Sequence, residues 1–331
     1  MGITMGELAK LANVSQGAVS LVLNGKAQGQ ISPQKQELIR SLAQKHNYRV
    51  NMAAKILRKK KQYAVGIIMP DSLNLFYASL ITLFQEIFSE QGYVTLFSFF
   101  RSETFENVYA QLRDRQVDGL ISWETSPLML EEKIPTVLFR QDINEVPSPF
   151  SPQKHLCRCG FDFTRIYPGL FQYLYDLGHR KIGFIGHTSD PRCQLLAEFL
   201  DQKGLALPSK WLFHHLDDLN GSNAFFDSIL TMADRPTALI TTNDETARQM
   251  ISAGHRLGIR FPEDLSITGF MNLPYTGSMY PALTTLDCRN RQLAEEMAKM
   301  LLTLIEQPDQ PVEDIFIQPE LILRESCGQP K

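Results

Sequence analysis

The sequence predicts an α/β protein in two unequal parts: a three-helix, helix-turn-helix head, then a core of two doubly wound parallel-sheet subdomains. Three observations predict it. Basic charge is concentrated at the front, where residues 1–61 hold eleven Lys/Arg against Glu7 and Glu37, while the rest of the chain holds 22 basic and 34 acidic side chains. Short apolar patterns of helical period, separated by cap residues, fill the same front segment. Beyond Tyr63, continuous β-branched runs alternate with longer helical patterns, which is how parallel sheets covered by helices read. A length of 331 residues fits two or three folding units, and 44% hydrophobic with 21% charged residues is ordinary for a globular chain. No stretch approaches the roughly 20 apolar residues of a membrane span, and no secretory signal pattern opens the chain. Cys157, Cys159, Cys193, Cys288 and Cys327 lack zinc-ligand spacing, so a reduced, cytoplasmic protein is expected.

In "ITMGELAKLANVSQGAVSLVLNGK", Leu8, Leu11 and Ala12 share one helical face, and Thr4 three residues before Glu7 has capping-box spacing, starting a helix at Met5. Asn13-Val14 breaks that pattern. Ser15 then caps a second helix carrying Ala18, Val19, Val22 and Leu23, ended by Asn24-Gly25. Ser32-Pro33 opens a third, running through Leu38, Ile39 and Leu42 to about His46. Two short helices joined by a tight turn form a helix-turn-helix unit, whose second helix fits the DNA major groove. A small basic module on a large acidic one has the charge footprint of a nucleic-acid binder with a second task.

In the core, "AVGIIMP", "VTLFSFF", "VDGLISWE" and "IPTVLFRQD" read as strands, with helices in "ASLITLFQEIFSEQGY" and "ETFENVYAQLRDRQ". The alternation restarts at "GLFQYLYDLGHRKIGFIGH" and continues through "CQLLAEFLDQKGL", "ALITTND", "ETARQMISAGHRLGI" and "LSITGFMN". Ligands of such sheets bind at the carboxyl ends of strands, so a cleft between the halves is the expected site.

The chain resembles the lactose-repressor (LacI/GalR) family of bacterial transcription regulators over essentially its whole length. Family heads read T-x-x-D-V-A-x-x-A-G-V-S-x-x-T-V-S-R-V-L-N, and this sequence keeps Thr4, Ala9, Ala12, Val14, Ser15, Val19, Ser20, Val22, Leu23 and Asn24. The resemblance implies a helix-turn-helix domain over 1–48, a hinge helix and linker over 49–61, and a periplasmic-binding-protein-like effector core over 62–331. The core's N-subdomain would span about 62–160 and 290–319, its C-subdomain about 162–287 and 321–328. Thr4, Ser15, Ser20 and Asn24 would contact phosphates, which set register. Gln16, Gly17, Ala18 and Leu21 would face base edges. Leu21 stands where arginine is common and Gly17 offers no side chain, so direct readout would rest mainly on Gln16. In "NYRVNMAAKILRKKK", Leu57 would wedge into the minor groove, the small Ala53 and Ala54 would let two hinges approach, and Arg58 and Lys59 would neutralise phosphates. Val50 replaces the usual proline at the start of that hinge.

For the core, the markers "GHRKIGFIG", "TTNDETARQMISAGHRLGIRFPEDLSITGF" and "YPALTTL" carry the likeness. Effector contacts carried over are Asp71, Ser72, Asn74 and Phe76 after the first strand, Ser98 and Phe99 after the second, Trp123 and Glu124 after the third, and Arg140 after the fourth. Arg192, Trp211, Asn243 and Asp244 would come from the other half. The family turn G-F/Y-D-D reads "GFMN" here, so Met271 replaces an acid that takes sugar hydroxyls, and Leu195-Leu196 replace a glycine and an aromatic. Trehalose-type repressors similarly lack that acid, and their A-R-D looks like "FRQD" here, so Arg140 with Arg192 could hold a phosphate. A sugar phosphate, a neutral sugar, and a nucleoside or other small molecule all remain open as effectors.

No nucleophile elbow, Walker loop or metal-spaced His/Cys set is present, so neither an enzyme nor a cofactor is expected. The expected partners are pseudo-palindromic double-stranded operator DNA, a small-molecule effector (a sugar or sugar phosphate) and a second copy in a homodimer, with no membrane. The rival readings are a sugar-binding protein or an enzyme with an added DNA-binding head. Relief of repression by effector is the expected sign; corepression stays open.

Overall fold

A computed structural model describes residues 3–23, 25, 27–48, 61–71, 74–140, 154–213, 225–226 and 229–331. The chain divides into two compact units, Met1–Gln62 and Tyr63–Lys331.

The first unit is a bundle of α1 (Met5–Leu11), α2 (Gln16–Leu23) and α3 (Pro33–Lys45). Thr4 and Glu7 close a capping box at α1, the Glu7 amide donating to the Thr4 hydroxyl at 3.2 Å and the Thr4 amide to the Glu7 carboxylate at 2.7 Å. Ser15 accepts from the Ala18 amide at 3.1 Å to start α2, and Ser32 caps α3 ahead of Pro33. The turn between α1 and α2 is made by Asn13 at φ 50°. The family pattern has glycine there; asparagine is among the few side chains that enter this left-handed region at low cost. Leu8, Val19, Val22, Ile39 and Ala43 form the small core of the bundle.

The second unit contains two parallel sheets. In chain order its first half has β1 (Ala64–Pro70), α4 (Leu75–Glu90), β2 (Val94–Phe100), α5 (Phe105–Asp114), β3 (Gly119–Ser122), α6 (Pro127–Glu131), β4 (Thr136–Arg140) and β5 (Leu156–Phe161). The chain then passes into α7 (Phe163–Asp176), β6 (Ile182–Ile185), α8 (Pro191–Gln202), β7 (Leu212–Phe213), β8 (Ala238–Thr241), α9 (Asp244–Arg256) and β9 (Ser266–Thr268). It returns through β10 (Thr285–Asp287) to α10 (Asn290–Glu306) and β11 (Ile315–Ile317), and ends with β12 (Glu320–Ile322). The six-stranded sheet has order β11-β5-β4-β3-β1-β2 and the four-stranded one β7-β6-β8-β9; every pair in both is parallel. β10 and β12 pair antiparallel.

Both sheets are covered on two faces, as continuous buried runs such as β3 and β8 require. Phe76, Leu80, Phe84 and Phe88 of α4 and Leu293, Met297 and Leu301 of α10 pack on one face of the first sheet. Phe105, Tyr109 and Leu112 of α5 with Met129 of α6 cover the other. The second sheet lies between Tyr167, Phe171 and Leu174 of α7 and Ala247, Met250 and Ile251 of α9. Buried His179 ties the chain end to this sheet, its ring bonding Thr237, Ser266 and the Gly328 carbonyl at 2.8–3.1 Å. Burial lowers its pKa below the usual histidine value, so the ring is a neutral structural hub. All five cysteines are buried free thiols. No described helix is long and apolar enough to cross a membrane.

Candidate functional site

On the head, the side of α2 opposite Val19 and Val22 carries the exposed Ser15, Gln16 and Gly17, with Ala18, Ser20 and Leu21 half-buried beside them. Leu21 packs partly against the bundle core, a contact that arginine would make only through its stem. The Gln16 amide nitrogen lies over Gly6, where a β-carbon would come within 2.9 Å of it, so this glycine gives the side chain its space. A β-carbon on Gly17 would meet only Ser15 Oγ at 3.7 Å, so the blank at position 17 is no steric requirement. The Thr4 hydroxyl donates to Glu7 at 2.8 Å, which occupies its proton within the cap. Asn24, Ala54, Leu57, Arg58 and Lys59 lie outside the described residues, as do Val50, Ala53 and Ser72.

In the core, strand order leads to the site. The first sheet runs 2-1-3-4-5 from its β2 edge, so the chain direction switches between β1 and β3, and a crevice opens at their carboxyl ends. A cavity of about 260 Å³ lies there. Pro70 ends β1, Phe100 ends β2, Trp123 and Glu124 follow β3, Phe139 and Arg140 end β4, and Phe161 ends β5; Phe76 and Tyr77 of α4 and Phe270 and Met271 after β9 complete the lining. Gly160 permits the tight β4–β5 approach at this rim, since a β-carbon would sit 1.7 Å from the Arg140 carbonyl oxygen. Trp123 and Phe139 stack at 4.8 Å and 25°, and Tyr77 meets Trp123 edge-on at 5.9 Å. Phe161 stands edge-on to both Phe139 and Phe270 at 5.7 Å. The Trp123 indole N–H is buried without a hydrogen-bond partner among the described residues. Burial lifts the Tyr77 hydroxyl to about 12, so it stays protonated.

Of the expected effector residues, Phe76, Trp123, Glu124, Arg140 and Met271 come together around this cavity. The other described ones are placed elsewhere. β2 continues to Phe100, so Ser98 and Phe99 lie within the strand rather than after it; alternation turns Phe99 outward, 47% exposed, and puts Phe100 in the lining. Asp71 pairs with Arg101 at 2.9 Å, and the Asn74 side chain caps α4 through the Tyr77 amide at 3.1 Å.

The second half holds its polar groups inside. Arg192 is 2% exposed: Nε and Nη2 donate to Asp190 at 2.7 and 2.5 Å, and Nη1 to the Thr242 carbonyl at 2.8 Å. Phe163, Tyr167 and Phe270 surround its guanidinium at 5.2–5.9 Å. Burial opposes that charge, but Tyr167 and Asp190 outweigh it and raise the pKa above the ordinary arginine value. The Trp211 indole donates to the Asp234 carbonyl at 2.9 Å, and Asn243 caps α9 through the Thr246 amide at 2.8 Å. Asp244 is fully buried, accepting from the Leu273 amide at 2.7 Å and the Thr285 hydroxyl at 2.5 Å. It thereby joins the start of α9, the loop that carries Phe270 and Met271, and strand β10. Burial pushes its carboxyl up to about 7, against the hydrogen bonds of Thr285 and Leu273. Gly269 leaves room for that carboxylate, whose oxygen a β-carbon would approach to 2.2 Å. In the adjoining turn Met271 and Asn272 take φ 110° and 48°, and Asn272 bonds Asp287 at 2.9 Å and Arg324 at 2.7 Å.

Sequence reasoning missed the remaining aromatic lining of Tyr77, Phe100, Phe139, Phe161 and Phe270. The available signal was an aromatic residue at or next to the carboxyl end of each of β2, β3, β4 and β5.

Comparison with known proteins agrees with both units. Residues 4–51 match the profile "Bacterial regulatory proteins, lacI family" and residues 171–327 match "Periplasmic binding protein-like domain". The chain is 27% identical to the NTD biosynthesis operon regulator NtdR of Bacillus subtilis (strain 168), covering 98% of this chain and 99% of that one. It is 26% identical to the HTH-type transcriptional repressor PurR of Mannheimia succiniciproducens, covering 98% of each. In fold it matches the lac repressor dimer bound to operator and the anti-inducer ONPF, with a TM-score of 0.78 at 19% identity over 98% of this chain and 99% of that one. With a lacI-type head over residues 4–51, a periplasmic-binding-like domain over 171–327 and relatives aligned from end to end, the chain has the domain composition of the lacI family of bacterial regulatory proteins.

Proposed function

We propose that the chain is a cytoplasmic transcriptional repressor that binds a pseudo-palindromic operator as a homodimer and whose affinity for that operator is set by a small molecule in the core cleft. The observation that carries this reading is the cavity at the strand ends of a core that bears a lacI-type head. Two-fold proteins read two-fold sites, and the exposed Gln16 is the polar side chain best placed on α2 to meet a base edge. Residues 49–61 serve as the hinge, with Leu57 as minor-groove wedge, Ala54 at the hinge contact, and Arg58 and Lys59 on phosphates. In the cleft, Glu124 and Arg140 supply charge-assisted hydrogen bonds and the aromatic lining supplies apolar contact. The site acts by binding: the effector closes the halves about the crossings near Phe161, Asp287 and Ile317, and a differential affinity for free and DNA-bound states links it to the operator.

The test is selection of bound duplexes from a random pool by the full-length protein, followed by affinity measurement. A two-fold symmetric consensus is expected, with Gln16→Ala weakening discrimination by about 1–3 kcal/mol at one symmetric position and Leu57→Ala reducing both affinity and bending. Recovery of unrelated duplexes with no consensus would refute sequence-specific binding; unchanged bending in Leu57→Ala would refute the wedge.

A further inference from the structure

The cavity has a charged rim and an aromatic floor. Glu124 is exposed and Arg140 half-buried, whereas Phe76, Phe161 and Phe270 are 1–2% exposed. Among the described residues the second half adds Phe270 and Met271, while Arg192, Asn243 and Asp244 are bonded inside that half and are absent from the lining. A plain sugar presents hydroxyls around its whole ring, and each needs a partner once the cleft excludes water. On the floor they would meet the stacked Trp123–Phe139 pair and the Phe161–Phe270 corner, which offer π surface instead. A flat unsaturated ring suits those faces, through stacking on Trp123–Phe139 and edge contact with Phe270.

We infer that the effector joins a planar aromatic ring to a polar, sugar-like part, as a nucleoside or an aryl glycoside does. The aromatic ring lies on the floor made by Trp123, Phe139, Phe161 and Phe270, and the hydroxyl-bearing part meets Glu124 and Arg140 at the rim. This assignment rests on the reading of the cleft as the effector site, and it follows from the position of Met271. An acid in its place would supply the apolar wall with the acceptor that a bare sugar needs.

The test compares matched probes on the full-length protein by calorimetry: ribose with uridine, glucose with phenyl β-D-glucoside, and glucose 6-phosphate alone. At least one aromatic member is expected to bind tenfold or more tightly than its bare sugar. Trp123→Leu should erase that preference, with Trp123→Phe retaining part of it to separate lost stacking from misfolding. Met271→Asp should narrow the gap by improving the bare sugar. Binding of ribose, glucose or glucose 6-phosphate as tightly as the aromatic members, or failure of both aromatic members to bind, would overturn the assignment. Failure of the regulatory reading looks different: uridine or the phenyl glucoside binds, yet the affinity for the selected duplex does not change.

Discussion

At the strand ends of the first half, Glu124 and Arg140 stand beside a cavity; at the corresponding strand-to-helix turns of the second half, Arg192 and Asp244 are turned inward and saturated by their own neighbours. The two halves share one strand-order logic, each sheet reading 2-1-3-4 from one edge. Local bonding decides the difference. Asp190, two residues before Arg192, caps α8 and folds back to pair with the guanidinium, so the turn satisfies its own charge. Trp123-Glu124 follows β3 with no comparable basic partner in the turn: Glu124 accepts from the Thr125 amide and remains exposed. A charged residue near a strand end is thus left facing the cavity or pinned inside according to what its own turn supplies.

The largest effect expected from that contrast is at Arg192. Arg192→Ala removes a guanidinium surrounded by three aromatic rings, leaves Asp190 without its partner, and should cost about 3–5 kcal/mol in urea unfolding. Arg140→Ala, removing a half-buried group at the rim, should leave stability nearly unchanged and weaken effector binding. Equal stability loss in both variants would break the distinction.

Asp244 gives the next effect, and its sign follows from its raised pKa. In the unfolded chain the carboxyl ionises from about pH 4 upward, while in the fold it stays protonated to about 7. Stability from this group therefore falls as pH rises between about 4 and 7, by an amount on the order of 4 kcal/mol, and is flat on either side. Asp244→Asn keeps an oxygen for the Leu273 amide and a donor for Thr285, and removes the titration. The variant should show a flatter pH profile of thermal midpoint and a higher midpoint at pH 8; an unchanged slope would place the titration elsewhere.

Much of this was legible in the sequence. Thr4, Ser15 and Ser32 mark all three helix starts of the head because capping is local chemistry, and runs such as "AVGIIMP" and "ALIT" mark buried strands because both of their faces are covered. The turn at Asn13 was readable only as a break in the pattern, since a left-handed asparagine looks like any loop asparagine. The pairing of β10 with β12 joins segments more than thirty residues apart, and no local pattern announces it. The site was half legible: the resemblance names both Arg140, at the end of β4, and Arg192, in the first turn of α8, but which one reaches the cavity depends on Asp190 and the Thr242 carbonyl, contacts made only after folding. The strand "VTLFSFF" runs to Phe100 as read, and only its side-chain alternation shows that Phe100, not Ser98 or Phe99, lines the cavity.

The most direct test of the contrast between the two halves is a crystal structure of the full chain with the tightest-binding of the matched probes. The predicted result is that every charged contact to the ligand comes from the first half, with Glu124 and Arg140 on its hydroxyls and its ring against Trp123, Phe139 and Phe270, while Arg192 stays paired with Asp190. A ligand hydroxyl bonded to Arg192 or Asp244, with the Arg192–Asp190 pair opened, would contradict the account.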